Sequence, residues 1–262
     1  MKLKGIWKYI IAVLIFTLTT VMLAVLGHKA KAEYKEITCS GIKVEIAEQD
    51  GLNFVTVGDV KEYIAGGYGN CSGKRLEEID LARIEEILDG KSAILKSEAY
   101  TTRDGILHII ITQRVPVVRL VSGRGGWYAD SEGYLFPLQK NYTSRVPIVD
   151  GSIPLNIKSG FKGTPATAAE RQWLGGILDL VDFLSRNRRW DDAIAQIHVN
   201  GNGHVIIVPR KGREKFYMGR PEEFEKKFAK IENYYRYIVP EKGQDAYSYV
   251  NVSFDGQIVC RK

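Results

Sequence analysis

Apolar and polar positions follow three different rhythms along this chain. From Tyr9 to Gly27 (YIIAVLIFTLTTVMLAVLG) no charged residue occurs, and the run is apolar all round. As a helix these residues extend about 28 Å, close to the ~30 Å hydrocarbon core of a bilayer. Residues 28–36 turn polar and read as a linker. Ile37–Ala47 alternates and predicts a strand. Thr56-Val57-Gly58-Asp59 resembles a capped helix start with Val57, Val60 and Ile64 on one face, stopped by Gly66, Gly67 and Gly69. Asp80 caps a second helix through Leu81, Ile84 and Leu88, ended at Gly90. Ser92–Thr101 and Ile106–Val115 read as strands joined at Asp104-Gly105, a hairpin signal in which both central residues take positive φ. The order strand, helix, helix, strand, strand lets two helices cover one face of a three-stranded sheet.

After Pro116 the apolar runs shorten. Val117–Val121, Trp127–Ala129, Tyr134–Phe136 and Pro147–Val149 are strand-like pieces separated by Gly, Ser and Asn, which predicts a β-rich second domain. Thr167-Ala-Ala-Glu170 is a capping box ahead of a helix whose Trp173, Ile177, Val181 and Leu184 share a stripe with Leu174 and Leu178 beside them. Ile194–Val199 and His204–Pro209 form a hairpin through Asn200–Gly203. Pro221 suits the first turn of another helix, carrying Phe224, Phe228, Ile231 and Tyr235 on one face. Tyr247–Phe254, a turn at Asp255-Gly256 and Gln257–Cys260 close the pattern.

Charge and chemistry narrow the picture. Of the 37 Lys and Arg, five lie in the first 31 residues with no acid among them, leaving 32 basic against 31 acidic residues in the rest. The net +6 therefore flanks the apolar run, and the remainder carries no polyphosphate footprint, which argues against a nucleic-acid role. The run is longer than the apolar part of a cleaved signal peptide, although Ala30-Lys31-Ala32 is a weak cleavage pattern. A single uncleaved span is the reading adopted, with the N-terminus inside; Lys2, Lys4 and Lys8 on one side nearly balance Lys29, Lys31 and Lys35 on the other. Cys39, Cys71 and Cys260 form no CxxC motif; Cys39 and Cys71 either pair in an oxidising compartment or stay buried thiols. His28, His108, His198 and His204 have no metal-binding spacing, and no HExxH or GxSxG motif occurs. Glu77-Glu78, Glu85-Glu86 and Asp191-Asp192 read as solvated helix edges. The glycines at 66–69 and 123–126 are turns and not phosphate cradles. No catalytic residue, metal, cofactor or small-molecule substrate is expected.

Thr112-Gln113-Arg114-Val115-Pro116, then Trp127-Tyr128-Ala129-Asp130, Gly133-Tyr134-Leu135-Phe136 and Val146-Pro147, together with the closing strand–Gly turn–strand, resemble the FtsQ/DivIB family. That resemblance implies an α+β chain: a short cytoplasmic tail (1–8), a transmembrane helix (9–27), a linker (28–36), a POTRA-like β-α-α-β-β domain (37–115) and a β domain with flanking helices (116–262). It also implies a non-enzymatic scaffold at the inner membrane and the division septum, with its folded part in the periplasm. Its partners are then FtsB/FtsL-like proteins, with FtsW/FtsI-like proteins acting in septal peptidoglycan synthesis. The alternatives are a membrane-tethered cell-wall enzyme or another POTRA-containing envelope assembly protein. Independently of the family, a closing strand at a sheet edge presents unpaired N–H and C=O groups that a partner strand pairs with. The expected docking residues are Phe254, Gly256, Gln257, Ile258, Val259 and Cys260, a position that the resemblance assigns to FtsB. The alternative is that this edge is covered internally by the Pro221–Tyr237 helix; a POTRA sheet edge near Thr101–Ile110 is a second docking surface to consider.

Overall fold

The structure, a computed structural model, describes residues 3–48, 51–139 and 142–262. Helix α1 (Leu3–Glu36) runs through the apolar segment and continues over 28–36, where a linker was expected. Among the described residues, no helix is long and apolar enough to cross a membrane. The expected span Tyr9–Gly27 falls partly outside the described side chains. The remaining chain divides into two compact units: one up to Gln113, the other Arg114–Lys262, to which the short segment ending at Phe54 also belongs.

The first unit contains β1 (Gly41–Ile46), α2 (Val57–Gly67), a 3-10 turn (Leu76–Glu78), α3 (Leu81–Asp89), β2 (Ile94–Thr101) and β3 (Ile106–Gln113). The sheet order is β1-β3-β2, with β1 parallel and β2 antiparallel to β3. Both helices start where local chemistry predicts. The Thr56 hydroxyl accepts from Asp59 N–H while the Asp59 carboxylate accepts from Thr56 N–H, and the Asp80 carboxylate accepts from Arg83 N–H. Alternation along β3 sends Leu107, Ile109 and Ile111 into the core, where Val60, Ile64, Ile84 and Leu88 are also at most 1% exposed. Each such side chain contributes about 1.5–3 kcal/mol relative to exposure.

The β2–β3 connection departs from expectation. It is a four-residue loop, 102–105, closed by Gly105 N–H donating to Thr102 O, and only Gly105 (φ +82°) is left-handed. Asp104 keeps negative φ because its carboxylate instead accepts from the Thr102 hydroxyl and Ile106 N–H. Central β3 also removes Ile106–Ile110 from any edge, so of the second docking surface only the β2 side remains.

The second unit carries a nine-stranded mixed sheet, ordered β12-β11-β10-β9-β8-β7-β4-β5-β6. Its strands are β4 (Pro116–Ser122), β5 (Gly125–Asp130), β6 (Leu135–Pro137), β7 (Ile148–Gly151), β8 (Ile194–Val199), β9 (Val205–Pro209), β10 (Lys215–Gly219), β11 (Tyr249–Asn251) and β12 (Val259–Arg261). Its helices are α4 (Ala168–Arg186), α5 (Arg188–Asp191), α6 (Phe224–Asn233), a π-helical turn (Tyr234–Ile238) and α7 (Val239–Lys242). One continuous core joins Leu174, Ile177 and Leu184 of α4, Phe224, Phe228 and Ile231 of α6, and inward strand residues such as Leu120, Val205, Phe216 and Val250. The sheet is mixed because β4–β7, β7–β8 and β10–β11 pair in parallel. Strand β10 was not expected. Helix α6 begins at Phe224 and not at Pro221, since Glu223 takes a left-handed conformation (φ 53°) that interrupts the helix start.

Near the start of this unit, Asp130 fixes the turn into β6. One carboxylate oxygen accepts from the N–H groups of Glu132 and Tyr134, and the other accepts from Arg114 Nη1 at 2.8 Å. The Arg114 guanidinium lies 3.6 Å from the Tyr134 ring centroid. The ion pair is nearly buried, with side-chain exposures of 12% and 10%.

Candidate partner-docking edge

The two edges of the nine-stranded sheet differ in how they are finished. Edge strand β6 ends at Pro137, which offers no N–H, and Leu135 exchanges backbone hydrogen bonds with Gly163 (2.8 and 2.9 Å). Its ladder is thus already partly occupied. At the opposite edge, β12 pairs with β11 through Tyr249↔Arg261, Val250↔Cys260 and Asn251↔Val259. Among the described residues, no strand pairs with its outer side.

Local residues hold this edge in place. Val250 and Val252 are fully buried, which seats β11 against β10. The Asn251 side-chain oxygen accepts from both N–H (2.9 Å) and hydroxyl (2.7 Å) of Ser253, turning the chain out of β11. Lys230 Nζ on α6 donates to the carbonyls of Val252 (3.2 Å) and Phe254 (2.5 Å). Helix α6 therefore does not pair with the edge; it packs inward through its apolar face and ties down the segment leading to β12. Gly256 reverses the chain at φ +68°, a conformation that disfavours any side chain.

The six expected residues do not all lie in the strand. Val259 and Cys260 are in β12; Ile258, Gln257, Gly256 and Phe254 precede it, because the strand begins at Val259, two residues later than expected, and runs to Arg261. Ile258 and Cys260 pack against the core, and alternation puts Val259 and Arg261 on the opposite face. Burial pushes the Cys260 thiol above its ordinary pKa. Gln257 is exposed, and Phe254 leaves 48% of its surface open, a large apolar ring beside an unpaired strand. Arg261, absent from the expected set, stands 5.9 Å from the Tyr249 ring, which in turn lies 5.9 Å from Tyr217. The Tyr217 hydroxyl meets His204 Nδ1, so an aromatic row crosses the sheet towards this edge. Strand alternation on β11 and β12 gives a sequence signal for the Tyr249–Arg261 pair, whereas Tyr217 depended on the unexpected β10.

Beneath β10, Tyr235 donates its hydroxyl to Glu214 (2.7 Å). Burial, then the bond to Glu214, raises the Tyr235 pKa, and burial with the nearby Glu214 charge pushes Tyr234 up to about 12. Both rings therefore stay neutral at physiological pH and serve packing. A half-open cavity of about 420 Å³ is lined by Trp190, Phe216, Phe228 and Tyr235 among others, and none of the six docking residues borders it. Among the described residues, no cluster of three or more His, Cys, Asp or Glu is arranged to hold a metal ion.

The family model described as "FtsQ/DivIB, C-terminal related" matches residues 115–261, and that described as "POTRA-like domain" matches residues 37–112. The chain belongs to the FtsQ/DivIB family. No curated protein matches it individually. The FtsQ/DivIB match runs from β4 through β12, so the open edge lies within the family region. Membership implies a scaffold role in cell division, in a family that is generally non-enzymatic.

Proposed function

We propose that this FtsQ/DivIB-family chain is a membrane-anchored scaffold that recruits division proteins by adding a partner strand to β12. The observation carrying this reading is the uncovered edge, opposite an edge that is proline-ended and bridged. Main-chain hydrogen bonds supply affinity in such β-augmentation, while alternate side chains supply selectivity. In this reading Phe254, Val259 and Arg261 face the partner's side chains, and Gly256, Gln257, Ile258 and Cys260 set the strand's path and register. FtsB/FtsL-like proteins are the partners, linking the chain to FtsW/FtsI-like septal peptidoglycan synthesis at the inner-membrane septum. The anchor is α1, with its N-terminus cytoplasmic and both units periplasmic. Two features support it: Tyr9–Gly27 lacks charge, and Leu14, Phe16, Leu18 and Leu23 each expose 61–72% of their surface, apolar area that a bilayer takes out of water.

The test is a cross-linked pull-down from membranes with the full chain and its Ile258→Pro variant, which removes a donor facing away from β11. FtsB- and FtsL-like proteins recovered with the first and lost with a variant of unchanged thermal midpoint support the edge. Equal recovery with both moves the interface elsewhere, and absence from both removes the partner assignment. For topology, a reporter active only outside the cytoplasm, fused after Lys262, gives signal; silence reverses the orientation.

A further inference from the structure

We propose that Cys39 and Cys71 are a disulfide-forming pair that staples the entry of the first unit to the loop after α2. Both thiols are free and buried, at 2% and 1% exposure. Cys39 lies just ahead of β1, and its backbone is laced to the loop that carries Cys71. Cys39 N–H donates to Lys74 O (2.8 Å) and Gly73 N–H donates to Cys39 O (2.8 Å). On the same ladder Leu76 N–H donates to Ile37 O (3.0 Å), and Thr38 bridges Arg75. Lys74 N–H donates to Cys71 O (3.2 Å), so a single turn separates Cys71 from the residues that bond to Cys39. Burial raises the Cys71 pKa, and neighbouring Cys39 raises it further. These hydrogen bonds hold the two cysteine-bearing segments side by side, the arrangement a disulfide requires.

Closure proceeds by thiol–disulfide exchange with a small-molecule disulfide such as oxidised glutathione. One cysteine thiolate attacks a sulfur of glutathione disulfide, forming a mixed disulfide and releasing one glutathione thiolate. The second cysteine thiolate attacks the protein sulfur of that mixed disulfide and releases the other. The pair loses two electrons and two protons, and two reduced glutathiones gain them. Burial confines this exchange to folding or local opening. The inference concerns the chain itself and does not rest on its anchoring or its partners.

The experiment refolds the full chain in detergent, in a mixture of oxidised and reduced glutathione. Free thiols are then alkylated and the unreduced protein is mapped by mass spectrometry. The expected result is one reactive thiol, Cys260, and a peptide joining Cys39 to Cys71. Closing a loop of about 33 residues should raise the thermal midpoint of the first unit by roughly 15–30 °C over the reduced protein. Three alkylated thiols, or a linkage that includes Cys260, overturns the proposal. The Cys39→Ala/Cys71→Ala variant must fold and lose the redox dependence of its midpoint; a shift that persists in it also overturns the proposal.

Discussion

Edge strands β2 and β12, one in each unit, meet the same hazard in opposite ways. Strand β2 is eight residues long and is the larger template for a stray strand. It carries a bulge between Ile94 and Lys96 and an exposed Lys96–Glu98 ion pair, and its Tyr100 ring stacks on His108. Bulges and edge charges are how sheets discourage unplanned pairing. Strand β12 has only three residues and no acid, and it is approached by an exposed Phe254 and Gln257. Strand length therefore says little about availability; flanking chemistry decides it. In the proposed function, β2 is guarded and β12 is left open.

Five changes test this contrast. Ile258→Pro should weaken a partner-derived strand peptide up to about 100-fold, since it removes an outward ladder donor and leaves the partner's carbonyl unpaired, a loss on the order of 1–3 kcal/mol. Glu98→Pro should leave that affinity unchanged, whatever it does to the first unit; calorimetric titration of both variants decides, and equal losses would end the distinction. Arg114→Ala should lower the stability of the second unit by about 3 kcal/mol in urea, because it strands the nearly buried Asp130 carboxylate and removes the cation over Tyr134. The unfolding transition of the first unit should not move. Lys230→Met should reduce peptide affinity about fivefold to tenfold by freeing the Val252 and Phe254 carbonyls, each such bond contributing about 1 kcal/mol. An affinity equal to wild type would mean the tether does not set the edge. The Lys96→Thr/Glu98→Val pair should change stability by less than about 0.5 kcal/mol, as exposed ion pairs do. It should nonetheless raise self-association in sedimentation velocity, and a chain that remains as monomeric as wild type would show that these charges guard nothing.

What could be read from sequence divides along physical lines. The helix starts at Thr56, Asp80 and Thr167 were legible because a cap is settled within four residues of chain. The alternation that buries Leu107, Ile109 and Ile111 was legible for the same local reason. Strand β10 was not, because its run is short, follows a charged stretch, and is held from outside by β9 and by β11, which begins some 30 residues later. The start of α6 was misread because Pro221 is permissive for a helix but cannot reveal that Glu223 will turn left-handed. At the docking edge, the closing strand could be placed to within two residues at its start and one at its end. Neither the Lys230 tether nor the extension of the aromatic row to Tyr217 and His204 could be foreseen, since both join residues that only the tertiary fold brings together.

The parallel pairing of β10 with β11 also orders events in time. Lys215 meets Tyr249 only after the chain between them has made α6, the π-helical turn and α7, so β11 joins across a long loop and β12 can join only after β11. Long loops and parallel pairings form slowly. Hydrogen-exchange labelling during refolding should accordingly protect the amides of β11 and β12 last. During synthesis the same order holds, because these strands also leave the ribosome last among the nine. If partners dock on β12 as proposed, a half-made or misassembled second unit has no finished edge to offer, and partner recruitment becomes a readout of completed folding.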